Sequence, residues 1–129
     1  MKKIIFKDRY PIYTTEILKK ESKFKSTDEI IQYLKEKVEK HCIASYITVF
    51  DHYSHTRCLS EHNILEGIID AKNIIFCFGK EIPTPKILAV RPRSIGICEF
   101  EDKFEINFLE APKEGLQKEL ESWIEELRG

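Results

Sequence analysis

Ser94 to Leu109 reads SIGICEFEDKFEINFL, two short runs rich in apolar residues on either side of Glu101-Asp102-Lys103. Three consecutive charged residues between such runs make a tight turn, so Ser94–Phe100 and Phe104–Leu109 form a hairpin. Upstream, Asn73 to Gly79 (NIIFCFG) reads as a strand that stops at a glycine, before a stiff EIPTPK connection. Ile43 to Phe50 (IASYITVF) is β-branched and aromatic, with Ala44, Tyr46, Thr48 and Phe50 on one face and Ile43, Ser45, Ile47 and Val49 on the other. It is expected as an internal strand. Ile87–Val90 is a further expected strand, and Tyr10–Leu18, with Pro11 at its start, suits a strand near a sheet edge.

Two helices flank this strand set. Ser26 and Glu29 have capping-box spacing, and Ile30, Ile31, Leu34 and Val38 recur at helical intervals, which predicts a helix over 27–40 with Lys35–Glu39 and Glu36–Lys40 on its wet side. Pro112 opens a closing helix on which Leu116, Leu120, Trp123, Ile124 and Leu127 form one stripe. Between them, Ile64, Leu65, Ile68 and Ile69, with Ser60 as a cap, allow a short helix over 61–69. The order β-α-β-β-β-β-α, with helices over a mainly antiparallel sheet, is an α+β two-layer fold. With 129 residues, no linker and no repeat, it reads as a single domain over 1–129. The 42% apolar composition suffices to bury roughly two-thirds of the unfolded surface.

Charge and cysteine content narrow the function classes. Lys and Arg number 21 against 22 Asp and Glu, spread along the chain, which argues against nucleic-acid binding because that needs a concentrated basic field. Cys42, Cys58, Cys77 and Cys98 form no CxxC pair. Cys77 and Cys98, inside apolar runs, read as buried thiols. Ile4, Ile5 and Phe6 are too short a run for a signal peptide, and no stretch approaches the ~18 apolar residues of a membrane span, so a cytoplasmic protein is expected.

Several short motifs resemble the bacterial domain of unknown function family 302. They are Phe50-Asp51-His52 ending a strand, Ile74 to Gly79 closed by Phe-Gly, the glutamate-bearing strand around Glu99, and Phe108 to Pro112 before the last helix. The resemblance spans residues 40 to 112. It implies a helix-grip, TATA-binding-protein-like fold and a homodimer, and it implies no reaction.

The densest chemistry lies in one segment. His52, His55, Cys58 and His62 fall within eleven residues and carry the donors that suit a transition metal such as zinc, with Asp51 or Glu61 able to complete the shell. The alternative is a solvated loop with His52 packed at a strand end. Arg91 and Arg93 flank Pro92, with Lys80 and Lys86 nearby, and two guanidinium groups on a rigid turn can grip a carboxylate or phosphate. Alternatively they pair with Glu99, Glu101 or the acidic final helix. Cys58 beside His55 or His62 is a candidate thiolate nucleophile. GxSxG, Walker and GxGxxG motifs are absent. The aromatics Tyr46, Phe50, Phe76, Phe78, Phe100, Phe104, Phe108 and Trp123 build the core, and a helix across a curved sheet can leave room among them for an apolar or amphipathic small molecule.

Three functions are therefore expected, in order. The first is a non-enzymatic binding or sensor domain, with a metal or polar ligand at His52–His62 and an anion at Arg91 and Arg93. The second is a dimeric accessory domain docking another protein or holding a small apolar ligand. The third is an enzyme using Cys58 or a metal-bound water.

Overall fold

The computed structural model describes residues 1–129. Its strands are β1 (Lys2–Phe6), β2 (Tyr10–Leu18), β3 (Ala44–Asp51), β4 (Asp70–Phe78), β5 (Arg93–Glu99) and β6 (Lys103–Leu109). Its helices are α1 (Thr27–Lys40), α2 (His52–Arg57) and α3 (Glu114–Glu125). The strands form one antiparallel sheet in the order β1-β2-β6-β5-β4-β3. The α+β class and the β5–β6 hairpin are as expected.

Strict alternation builds the core. Phe104, Ile106 and Phe108 of β6, Ile95 and Ile97 of β5, and Ile74, Phe76 and Phe78 of β4 all face inward and are buried. Ile30, Ile31, Leu34 and Val38 of α1 and Leu120, Trp123 and Ile124 of α3 close over them in one 17-residue cluster. Both long helices therefore cover the same face of the sheet. Ser26 Oγ accepts from Glu29 N at 3.2 Å to start α1. At 14 residues α1 is about 21 Å long and runs along β4, from Asp28 beside Lys72 to His41 beside Phe78. On its outer side Lys35 lies over the Tyr46 ring and Glu36 accepts from Gln32, so the expected Lys35–Glu39 and Glu36–Lys40 pairs do not form.

The inner face ends in one buried carboxylate. Glu99 Oε1 accepts from Thr27 N and Oγ1 at 2.8 and 2.9 Å, and Glu99 Oε2 takes the Lys19 ammonium at 2.7 Å. A single side chain thereby satisfies the first turn of α1 and locks β5 to the end of β2.

Four local readings are corrected. Lys2–Phe6 forms a strand, because Lys7 and Asp8 both adopt left-handed backbone (φ 53° and 58°) and turn the chain into β2. Tyr10–Leu18 therefore lies one strand in from the edge, near it as expected. IASYITVF is an edge strand, not an internal one. A bulge at Ile47 lets Tyr46 oppose Phe76 and Thr48 oppose Ile75, so Val49 turns to the core while Thr48 and Phe50 leave the face shared by Ala44 and Tyr46. Ile87–Val90 is no strand: Thr84 Oγ1 accepts from Lys86 N, and Pro85–Ala89 winds into a 3-10 turn. Finally, 61–69 is not helical. Gly67 takes φ +97° and Ile69 N donates to Glu99 O at 2.8 Å, while the short helix forms earlier, at α2, where Asp51 caps Ser54 N at 3.0 Å.

Candidate functional site

α2 follows β3 directly at the open edge of the sheet, which places His52 and His55 one turn apart on one side of the helix. Their rings lie 6.5 Å apart and both stand against Phe50, at 5.0 and 5.4 Å. Cys58 is the exposed C-cap of α2, and His62 Nδ1 donates to Leu59 O at 3.0 Å. The fourth histidine is elsewhere. His41 accepts from Ile43 N through Nδ1 at 3.2 Å and holds Glu119 through Nε2 at 2.9 Å, clasping α1 to α3. No three His, Cys, Asp or Glu side chains converge in a group able to hold a metal ion. Of the four residues singled out in the segment, the fold brings together His52 and His55, and Asp51 is engaged in capping α2.

Arg91 and Arg93 meet at the other end of the molecule. The chain between β4 and β5 folds back as a flap, tied at its base by the bond from Arg91 Nη1 to Glu81 O at 2.9 Å. Beneath the flap lies a partly enclosed cleft of about 240 Å³. Its floor is Ile43 and Phe78, its flap side Ile87 and Val90, and its far wall Leu116 and Leu120 from α3. Gly79, Arg91, Arg93, Ala111, Pro112 and Lys113 complete the lining, which holds no acidic residue. On the far side of Arg91 a wider, more open depression of about 480 Å³ runs between Ile47, Cys77, Ile82 and Leu88. The less open cleft is the better ligand site, because burying most of a ligand's surface requires walls on several sides.

No carboxylate balances the two arginines of this cleft. Arg93 shares the inward face of β5 with Ile95, Ile97 and Glu99, but six residues separate Arg93 from Glu99, roughly 20 Å along a strand. An ion pair between them is therefore geometrically excluded, and Glu99 is taken by Lys19. Neither Arg91 nor Arg93 has a carboxylate within ion-pair distance. Arg93 donates instead to Leu109 O, and burial pushes its guanidinium below the ordinary arginine range. Gly79 permits the arrangement: at φ +130° it leaves the space that the Arg91 guanidinium occupies.

Two polar centres were not singled out from sequence. Lys72 gathers Asp28, Asp51 (4.0 Å) and Asp70 (3.7 Å) around one ammonium. Its hydrogen bond to Asp28, with the neighbouring charges of Asp70 and Asp51, raises the Lys72 pKa against the cost of burial. Gln117 is buried beside the cleft wall, with Oε1 accepting from Ala111 N at 2.9 Å and Nε2 without a partner. The Lys72 centre draws on three separate elements, α1, β3 and β4, and no spacing rule links its residues.

No helix is long and apolar enough to cross a membrane. No curated protein and no solved structure matches the chain. One family model covers residues 1–129, that of the Family of unknown function (DUF6858). It is a different family from domain of unknown function family 302, whose resemblance is not supported. The motifs that carried it end strands and begin helices, at β3–α2, at the close of β4 and before α3, and such boundaries recur in unrelated sheets.

Proposed function

The chain belongs to DUF6858, and from that premise we propose that it is a small, non-enzymatic binding domain that takes a small molecule into the cleft between the flap and α3. The observation that carries this reading is the cleft's construction. Apolar side chains from β4, the flap and α3 leave about 240 Å³ open in a fold whose other inward residues pack into a closed core. That volume lies just below the ~300–1,000 Å³ of drug-sized sites, so it suits a smaller molecule. Calorimetric titration of the full chain with a neutral apolar probe, octanol, tests the reading. One site per chain is expected, abolished by Ala111→Phe, which fills the cleft. Absence of binding by octanol and by its anionic analogues octanoate and octyl phosphate, or binding that survives Ala111→Phe, sinks it.

A second reading draws on His52 and His55. Two imidazoles beside Phe50 on an open sheet edge supply half of a four-coordinate shell, and the same pair from a second copy supplies the other half. A homodimer bridged by a transition metal such as zinc follows. Elemental analysis of untagged protein and sedimentation with and without a chelator test it. One metal per dimer, with both metal and dimer lost in His52→Ala and His55→Ala, supports it; a metal-independent mass defeats it.

A further inference from the structure

The mouth of the cleft holds three cations and no anion in a chain that has 22 acidic residues available. Among the other half-buried cations, Lys19, Lys37, Lys72, Lys103 and Arg128 hold carboxylates and Lys35 lies over the Tyr46 ring, while the remaining cations without a carboxylate are exposed to water. Arg91 and Arg93 each spend one N–H on a main-chain carbonyl, of Glu81 and of Leu109, which leaves four donors on each guanidinium. Those bonds also fix the forks in place, so less rotamer freedom remains to be lost when an anion arrives. A half-buried guanidinium without a counter-ion is costly, and a ligand that supplies the counter-charge removes that cost on binding.

We infer that the ligand of this cleft is an amphipathic anion, its apolar body against Phe78, Leu116 and Leu120 and its carboxylate or phosphate head between Arg91 and Arg93. The inference rests on the cleft being the binding site and adds the chemical class of what it binds. Phe78 contributes to both the floor of the cleft and the ring cluster with Trp123, whose centroid is 5.9 Å away, so the indole emission is a local reporter.

The test is a comparison of matched probes on the full chain, by calorimetry and Trp123 emission: octanol, octanoate and octyl phosphate, against wild type, Arg91→Gln and Arg93→Gln. Wild type is expected to hold at least one of the anions about tenfold or more tighter than octanol, the scale of one charge-assisted hydrogen bond. The ratio falls towards unity in each variant, and in wild type it falls as salt is raised. The tighter of the two anions identifies the head group. Equal affinity for all three probes overturns the anionic head and leaves the cleft reading standing. A preference that both variants retain places the anion elsewhere and also overturns it. If no probe binds, the cleft reading fails and the inference with it. Should Arg93→Gln not fold, Arg91→Gln and the salt dependence carry the same decision.

Discussion

The guanidinium carbon of Arg91 stands 2.7 Å from the point that a β-carbon at Gly79 would occupy. Backbone and charged side chain are thus fitted to one another at the hinge of the flap, and the missing side chain at 79 is a condition for Arg91 to reach the cleft. Gly79→Ala is expected to cost about 1–3 kcal/mol, because φ +130° is unfavourable for any L side chain, as well as to displace the guanidinium. Urea denaturation reads the first effect. Loss of the octanoate-over-octanol preference reads the second.

Glu99 makes stability depend on acid. Burial alone pushes its carboxyl up, but the hydrogen bonds from Lys19 and from Thr27 outweigh that and hold it below the usual glutamate range. A depressed folded pKa stabilises above the unfolded value of ~4.3, and the contribution disappears as pH falls through the folded pKa. Glu99→Gln should therefore be about 2 kcal/mol less stable at neutral pH, the scale of a hydrogen bond to a charged group. It should also lose less than wild type on acidification, which urea midpoints measured across the acid range will show.

Lys72 predicts the opposite slope. With Asp28, Asp51 and Asp70 around it, removal of the ammonium in Lys72→Met leaves three carboxylates in mutual repulsion. Burial already raises the Asp70 pKa against the pull of Lys72. Carboxylates whose folded pKa is raised destabilise when ionised and cease to do so as pH falls. The variant should lose about 1 kcal/mol at neutral pH, as befits partly exposed pairs, and recover part of it towards pH ~4. A deficit that does not shrink in acid would contradict this account.

His41 packs edge-on to Phe78 at 5.0 Å and against Trp123 at 6.3 Å while it accepts from Ile43 N. His41→Ala removes that acceptor, leaves Ile43 without its bond at the cleft floor, and should cost about 1–3 kcal/mol. Trp123 emission should shift as well, and octanol affinity should fall. Unchanged emission would mean that the ring cluster does not transmit to the cleft.

Local signals in the sequence carried far. The Ser26–Glu29 cap and the Ile30–Val38 stripe placed α1, and the charged triplet Glu101–Lys103 placed the last hairpin, because each depends on residues within a few positions. The N-terminal strand was hidden because its turn, Lys7-Asp8, carries no glycine or proline signal and lysine seldom adopts left-handed backbone. A one-residue bulge at Ile47 reversed the faces of β3, and alternation cannot reveal an inserted residue. Arg91 and Arg93 were legible as a pair, since a proline between them holds both on one short turn. The walls around them were not. Ile43, Phe78 and Leu116 lie far apart in sequence and become neighbours only when the flap folds over the sheet end.

The strand order also dictates a schedule. β2 has its inner partner in β6, and Ile12 pairs with Leu109, 97 positions later (109 − 12). At the usual ~5–20 residues per second of synthesis, the N-terminal hairpin waits roughly 5–20 s with one edge bare. Such an edge invites pairing with another nascent chain. The same closure sets the pace after release, since a sheet completed by its first and last thirds cannot be sealed from local contacts alone.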